Sequence, residues 1–218
     1  MLDPVLSRID ADIPQAIQRL LALLRIPSIS TDRVHASDCE VAADWLVQDL
    51  RDMGFASAKH ATPGRPMVVG QGGEGERHVL FYGHYDVQPV DPLELWDHPP
   101  FEPRLVDAPN GDKHITGRGA SDDKGALLTF VEACRAWKAV HGALPVAVSM
   151  LFEGEEESGS PSLKPFLEEN REELSHDVVF VCGAGRHRRL DPHRRPLQAH
   201  PRHGIGDGGL RPLRQPRA

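Results

Sequence analysis

The chain has no apolar run approaching the roughly 18 residues that a membrane helix needs. Its opening, M-L-D-P-V-L-S-R-I-D, lacks the basic start and apolar stretch of a secretory signal. No membrane partner is therefore expected, and the cytoplasm is the default location. Cysteine is scarce: Cys39, Cys134 and Cys182 are scattered and odd in number. That speaks against a disulfide framework or a cysteine-built zinc site and fits reduced, mostly buried thiols. There is no internal repeat, and residues 183–218 contain no Lys, no Glu and no aromatic residue.

What is present is enough for a core: 218 residues, 39% hydrophobic and 26% charged, the composition of a globular chain. The net charge of -7 conceals two segments. Residues 183–218 hold nine Arg against two acids, Asp191 and Asp207, whereas residues 1–182 hold 16 basic residues against 30 acids. Two parts are therefore expected: a domain over residues 1–182 and an Arg/Pro/Gly-rich tail over 183–218 without a stable core.

Along the chain, Asp12 with Pro14 behind it predicts a helix start, and Ile17, Leu20, Leu21 and Leu24 continue at helical spacing until Pro27. A second helix is predicted over 37–53, with Val41, Trp45, Leu46 and Leu50 on one face and Gly54 as its stop. Short strands are expected near 55–59 and 67–70. Residues 78–82 form an apolar strand that ends at Gly83. Residues 87–112 read as a long ordered loop ending in an Asn110-Gly111 turn. A helix at 126–137, a buried strand at 145–152, an acidic helix at 162–173 and a third buried strand at 177–182 complete the pattern. Strands alternating with helices predict an α/β domain whose sheet is layered between helices, with the active site at the carboxyl ends of the strands.

Chemistry-bearing residues collect at those ends. His84 and Asp86 lie two apart in extended chain, so both side chains point to one side, and a carboxylate behind an imidazole fixes its tautomer for metal binding. Asp122 and Asp123 open a helix, and Glu153 with Glu155, Glu156 and Glu157 follows a buried strand. Each group alone is an ordinary helix cap or solvated helix start. One His among several carboxylates, without Cys, suits zinc or a similar divalent ion.

In this order and spacing, G-H-Y-D-V-Q-P, G-R-G-A-S-D-D-K-G and E-G-E-E-E-S-G-S resemble the signature motifs of the dinuclear zinc metallopeptidase family. That family includes carnosinase-type dipeptidases, aminoacylase-1 and succinyl-diaminopimelate desuccinylase. The V-Q-P and W-D-H-P-P-F-E-P segments resemble its dipeptidase branch. The resemblance covers about residues 10–182 and implies a three-layer αβα zinc-exopeptidase-like fold and hydrolysis of an amide bond in a dipeptide or N-acyl amino acid. It makes His84 and Glu157 metal ligands, Asp122 the carboxylate bridging two Zn2+ ions (Mn2+ or Co2+ in their place), Asp86 the residue that orients His84, and Glu156 the general base acting on a metal-bridging water. It also implies a cis peptide bond between Asp122 and Asp123.

The sequence departs from that family where an acidic ligand is expected after residues 177–182, because Gly183-Ala184 stands there. The 36 residues after Cys182 leave no room for the final His ligand or for the lid domain that forms the homodimer. No homodimer is expected of this chain. The tail resembles a GC-rich gene read in a shifted frame, so an incomplete and inactive fragment that binds metal weakly is the alternative expectation. Nucleic-acid binding by the Arg-rich tail is disfavoured, because it lacks aromatics and a folded module. His187, His193, His200 and His203 are read as part of a disordered tail.

Overall fold

The computed structural model describes residues 2–108 and 111–182. Expectations for residues 183–218, and for Asn110 of the expected turn, lie outside the described residues.

Helix α1 spans Leu2–Leu24, with Pro14 in its interior. The expected start at Asp12 is corrected: the helix runs ten residues further upstream, and Asp12 pairs with Arg8 one turn earlier instead of capping. Helix α1 lies along α3 (Lys124–His141) and buries Val5, Leu21, Leu23 and Leu24, which outweighs the one hydrogen bond an interior proline removes. Helix α2 is Ala36–Asp52, and it buries Cys39, Ala42, Ala43, Leu46, Val47 and Leu50. Val41, expected inside, is 52% exposed, because the small side chains of Ala42 and Ala43 mark the packed face. Gly54 follows with φ +76, the left-handed conformation expected at this stop.

The main sheet is built from β1 (Ala56–His60), β2 (Met67–Gly72), β3 (His78–His84), β6 (Ala147–Glu153) and β7 (Val178–Val181), in the order β1-β2-β6-β3-β7. Pairs β1/β2 and β2/β6 are antiparallel, while β3 runs parallel to both β6 and β7. Helix α3, Lys124–His141, packs with α2 on one face, where Phe81, Met150 and Phe152 meet Leu46, Leu127 and Val131. On the other face Met67, Val69, Leu80 and Leu151 meet Phe166 of the short helix α4 (Leu163–Glu169). The architecture is a mixed sheet between helical layers.

Three expectations are corrected. The loop at 87–112 contains strand β4 (Arg104–Asp107), which pairs with β5 (Lys113–Thr116) as an antiparallel hairpin. Four-residue, largely polar strands leave no periodicity to read. Helix α4 ends at Glu169 rather than at 173, capped by Asn170, whose side-chain amide donates to the Phe166 carbonyl. Strand β7, expected buried, is exposed at all four positions, from 46% at Val179 to 70% at Val181. It pairs only with β3 among the described residues, so its apolar composition goes uncovered there.

Candidate metal centre

Parallel pairing puts the ends of β3 and β6 side by side, with His84 opposite Glu153 in register. The Tyr85 N–H donates to the Glu153 carbonyl at 2.8 Å, so the two acidic motifs leave the sheet together. Gly154 is required here: a Cβ would lie 2.3 Å from the Tyr85 hydroxyl oxygen, which donates to the Pro66 carbonyl.

His84 is buried and held on both ring nitrogens. Nδ1 lies 3.1 Å from the Asp86 carbonyl and 3.3 Å from Asp86 Oδ1. Nε2 lies 3.1 Å from Asp122 Oδ1 and 3.9 Å from Glu156 Oε2. Asp86 has no exposed surface, and its two oxygens accept the N–H groups of Glu156, at 3.2 Å, and Glu157, at 3.0 Å. One carboxylate thus sets the imidazole and the turn Glu156–Ser158 that carries the acids.

The peptide bond Asp122–Asp123 is cis, as the resemblance implies. The pair then divides its work. Asp122 turns to His84 with about half its side chain exposed. Asp123 is buried and accepts the His84 N–H at 3.2 Å and the Cys182 thiol at 3.2 Å. Glu157 is held by the Gln88 amide, which donates to its Oε2 at 2.6 Å.

Burial alone would pull the His84 imidazole down, but the Asp86 carboxylate, with Asp123 and Glu156 beyond it, carries it up to about 9. Burial pushes Asp123 up against the pull of its hydrogen bonds to Cys182 and His84. It raises Glu157 too, against the Gln88 hydrogen bond, and Asp122 adds to the rise.

Sequence reading placed Glu153 at a strand end without a role, and it missed Ser28 and Lys124. Glu153 is fully buried and accepts the Tyr82 hydroxyl at 2.5 Å. Ser28 and Lys124 are also fully buried, behind the site. The Lys of D-D-K-G was legible as a charge beside two acids, but nothing in the pattern placed it inside.

Among the described residues, no group of three or more His, Cys, Asp and Glu side chains is gathered closely enough to hold a metal ion. The donor chemistry of the pair that does meet, one imidazole nitrogen and one carboxylate oxygen, fits zinc and related divalent ions.

The model of peptidase family M20/M25/M40 matches residues 80–194, the stretch that contains all three acidic motifs. The chain belongs to that family. Its relatives include the Cys-Gly metallodipeptidase DUG1 of Saccharomyces cerevisiae, 32% identical over 196 residues (83% of this chain and 40% of that protein). Another is the Beta-Ala-His dipeptidase of Homo sapiens, 30% identical over 177 residues (79% and 33%). The structure of the dipeptidase Dug1p from Saccharomyces cerevisiae superposes with a TM-score of 0.75 at 31% identity, covering 83% of this chain and 40% of that one. Human carnosine dipeptidase 1 superposes equally well, 0.75 at 26% identity, over 83% and 41%. The chain spans about 40% of the length of the first of these family members.

Proposed function

We propose that His84, Asp86, Asp122, Glu156 and Glu157 form part of the site of a metal-dependent dipeptidase that hydrolyses the amide bond of a dipeptide or N-acyl amino acid. The observation that carries this reading is His84: Nδ1 is anchored on Asp86, while Nε2 faces Asp122 with the Glu156 carboxylate 3.9 Å away. His84, Asp122 and Glu157 would hold two divalent ions, zinc or in its place manganese or cobalt. When bound, such ions lower the pKa of water and polarise the scissile carbonyl.

The chain's own residues do the rest. Asp86 keeps the Nδ1 proton in place, so Nε2 offers its lone pair once the ring has lost its second proton. Glu156 is tied through its backbone to Asp86 while its carboxylate reaches to 3.9 Å from His84 Nε2 and stays 46% exposed, which suits a general base that takes a proton from water and returns it to the leaving amine. The names Cys-Gly metallodipeptidase and Beta-Ala-His dipeptidase point to short peptides as substrates.

A second reading has its own support. Only His84 and Asp122 meet directly as donors among the described residues, whereas catalytic zinc ordinarily has three protein ligands. The 218-residue chain is therefore expected to bind metal weakly and to show no appreciable turnover. The test is hydrolysis of a dipeptide panel with added zinc or manganese. Whatever turnover exceeds buffer should fall to background in Glu156→Gln, and turnover that survives that change removes Glu156 from the role of base.

A further inference from the structure

Two buried contacts behind the site take no part in the chemistry above. Ser28, on the loop after α1, donates its hydroxyl to the Tyr85 carbonyl at 2.7 Å, and its own carbonyl accepts the Val87 N–H at 3.0 Å. Tyr85 and Val87 flank Asp86, so one residue grips the backbone on both sides of that carboxylate. Ile29 extends the grip through a parallel bridge to Val87.

The loop bearing Ser28 is pinned in turn. Lys124, with no exposed surface, donates Nζ to the carbonyls of Leu23 at 3.1 Å and Ile26 at 2.7 Å. Leu23 lies in the last turn of α1 and Ile26 just beyond it, and each carbonyl also accepts a backbone N–H, from Ile26 at 3.2 Å and from Ser28 at 2.9 Å. Lys124 is also the first residue of α3 and follows the pair Asp122–Asp123 directly. A continuous path therefore runs from the turn that carries Asp122, through Lys124 and Ser28, to Asp86. The direct contact from Asp123 to the His84 N–H closes it on the other side.

We infer that Ser28 is a positioning residue for Asp86, tied through Lys124 to the Asp122 turn, so that the loop after α1 sets how the His84–Asp86 pair faces Asp122. The inference rests on the reading of His84 as a metal-binding residue oriented by Asp86. Capping of α1 alone would account for Lys124, but it gives no reason for Ser28 to hold both neighbours of Asp86. Removing the Ser28 hydroxyl leaves both Lys124 bonds in place and frees only the Tyr85 carbonyl, which separates the two roles.

The experiment compares Ser28→Ala with Asp86→Asn and with Val131→Ala, a change in the helix–sheet core that tests for general loosening. Two quantities are read: the ring nitrogen resonances of His84 in the metal-free protein by NMR, and zinc affinity by competition with a chelating dye. Ser28→Ala should shift the His84 Nδ1 resonance and weaken zinc binding about tenfold, the low end of what loss of a ligand's supporting contact costs, while Val131→Ala changes neither. If Asp86→Asn moves both quantities and Ser28→Ala moves neither, Ser28 is not a positioning residue. The same holds if Val131→Ala produces the same changes as Ser28→Ala. If Asp86→Asn itself moves neither, the reading of His84 and Asp86 fails, and this inference fails with it.

Discussion

Asp86 and Glu157 are joined by a hydrogen bond from the Glu157 N–H to Asp86 Oδ2 at 3.0 Å, while the other Asp86 oxygen takes the Glu156 N–H. The position of the acids relative to His84 thus depends on one buried side chain contributed by a different strand end. Asp86→Asn keeps the shape but replaces one acceptor with a donor, leaving a buried N–H without a partner. A loss of about 1–3 kcal/mol in stability is expected. It would be read as a lower urea midpoint at unchanged slope.

Metal affinity should rise with pH. His84 sits at about 9 without metal, and a ligand nitrogen must first lose its proton. Zinc affinity should therefore climb between pH 6.5 and 9 and level off above, as measured by dye competition across that range. The stability of the metal-free protein has the opposite sign. A group raised from 6.5 to about 9 favours the folded state most below 6.5, and that contribution is lost as pH rises through 9. His84→Gln should abolish both trends.

Lys124 contributes a trend of opposite direction. Burial holds its amine down at about 7, from 10.5 in the unfolded chain, so the unfolded state binds more protons over that interval. Its share of stability is largest above pH 10.5 and is lost as pH falls to about 7. In Lys124→Met the rise in stability between pH 7 and 10.5 should disappear, as followed by urea unfolding at several pH values. A rise that persists unchanged would mean that the amine is not buried as described.

Gly154→Ala should destabilise the fold by about 1–3 kcal/mol, the usual cost of overpacking. Its Cβ would press on the Tyr85 hydroxyl, which is itself bonded to the Pro66 carbonyl and cannot move freely. Thermal melts of Gly154→Ala and of the double variant with Tyr85→Phe should show at most a partial recovery, because the ring carbon Cζ, 2.6 Å from the added Cβ, remains after the hydroxyl is removed.

The layered fold was readable because β3 and β6 are largely apolar runs ending in polar motifs, a pattern that leaves little choice of place in a sheet. The start of α1 was not, because an Asp two residues before a Pro looks like a cap, and only the burial of Val5 and the run of α1 along α3 show otherwise. Strand β7 was misjudged because an apolar strand is read as covered, while coverage depends on what lies beside it. At the site, His84, Asp86, Asp122, Glu156 and Glu157 were legible as chemistry in motifs. The supports were not: Ser28 and Lys124 act across 57 to 101 residues of sequence, through backbone carbonyls that carry no sequence signal.

The most direct test of the account is a calorimetric zinc titration of the 218-residue chain beside His84→Ala and Asp122→Asn. The account predicts weak binding in the parent chain that is lost in both variants, because those two side chains are the donors that meet. Two tight sites in the parent chain, or binding that neither substitution disturbs, would contradict it.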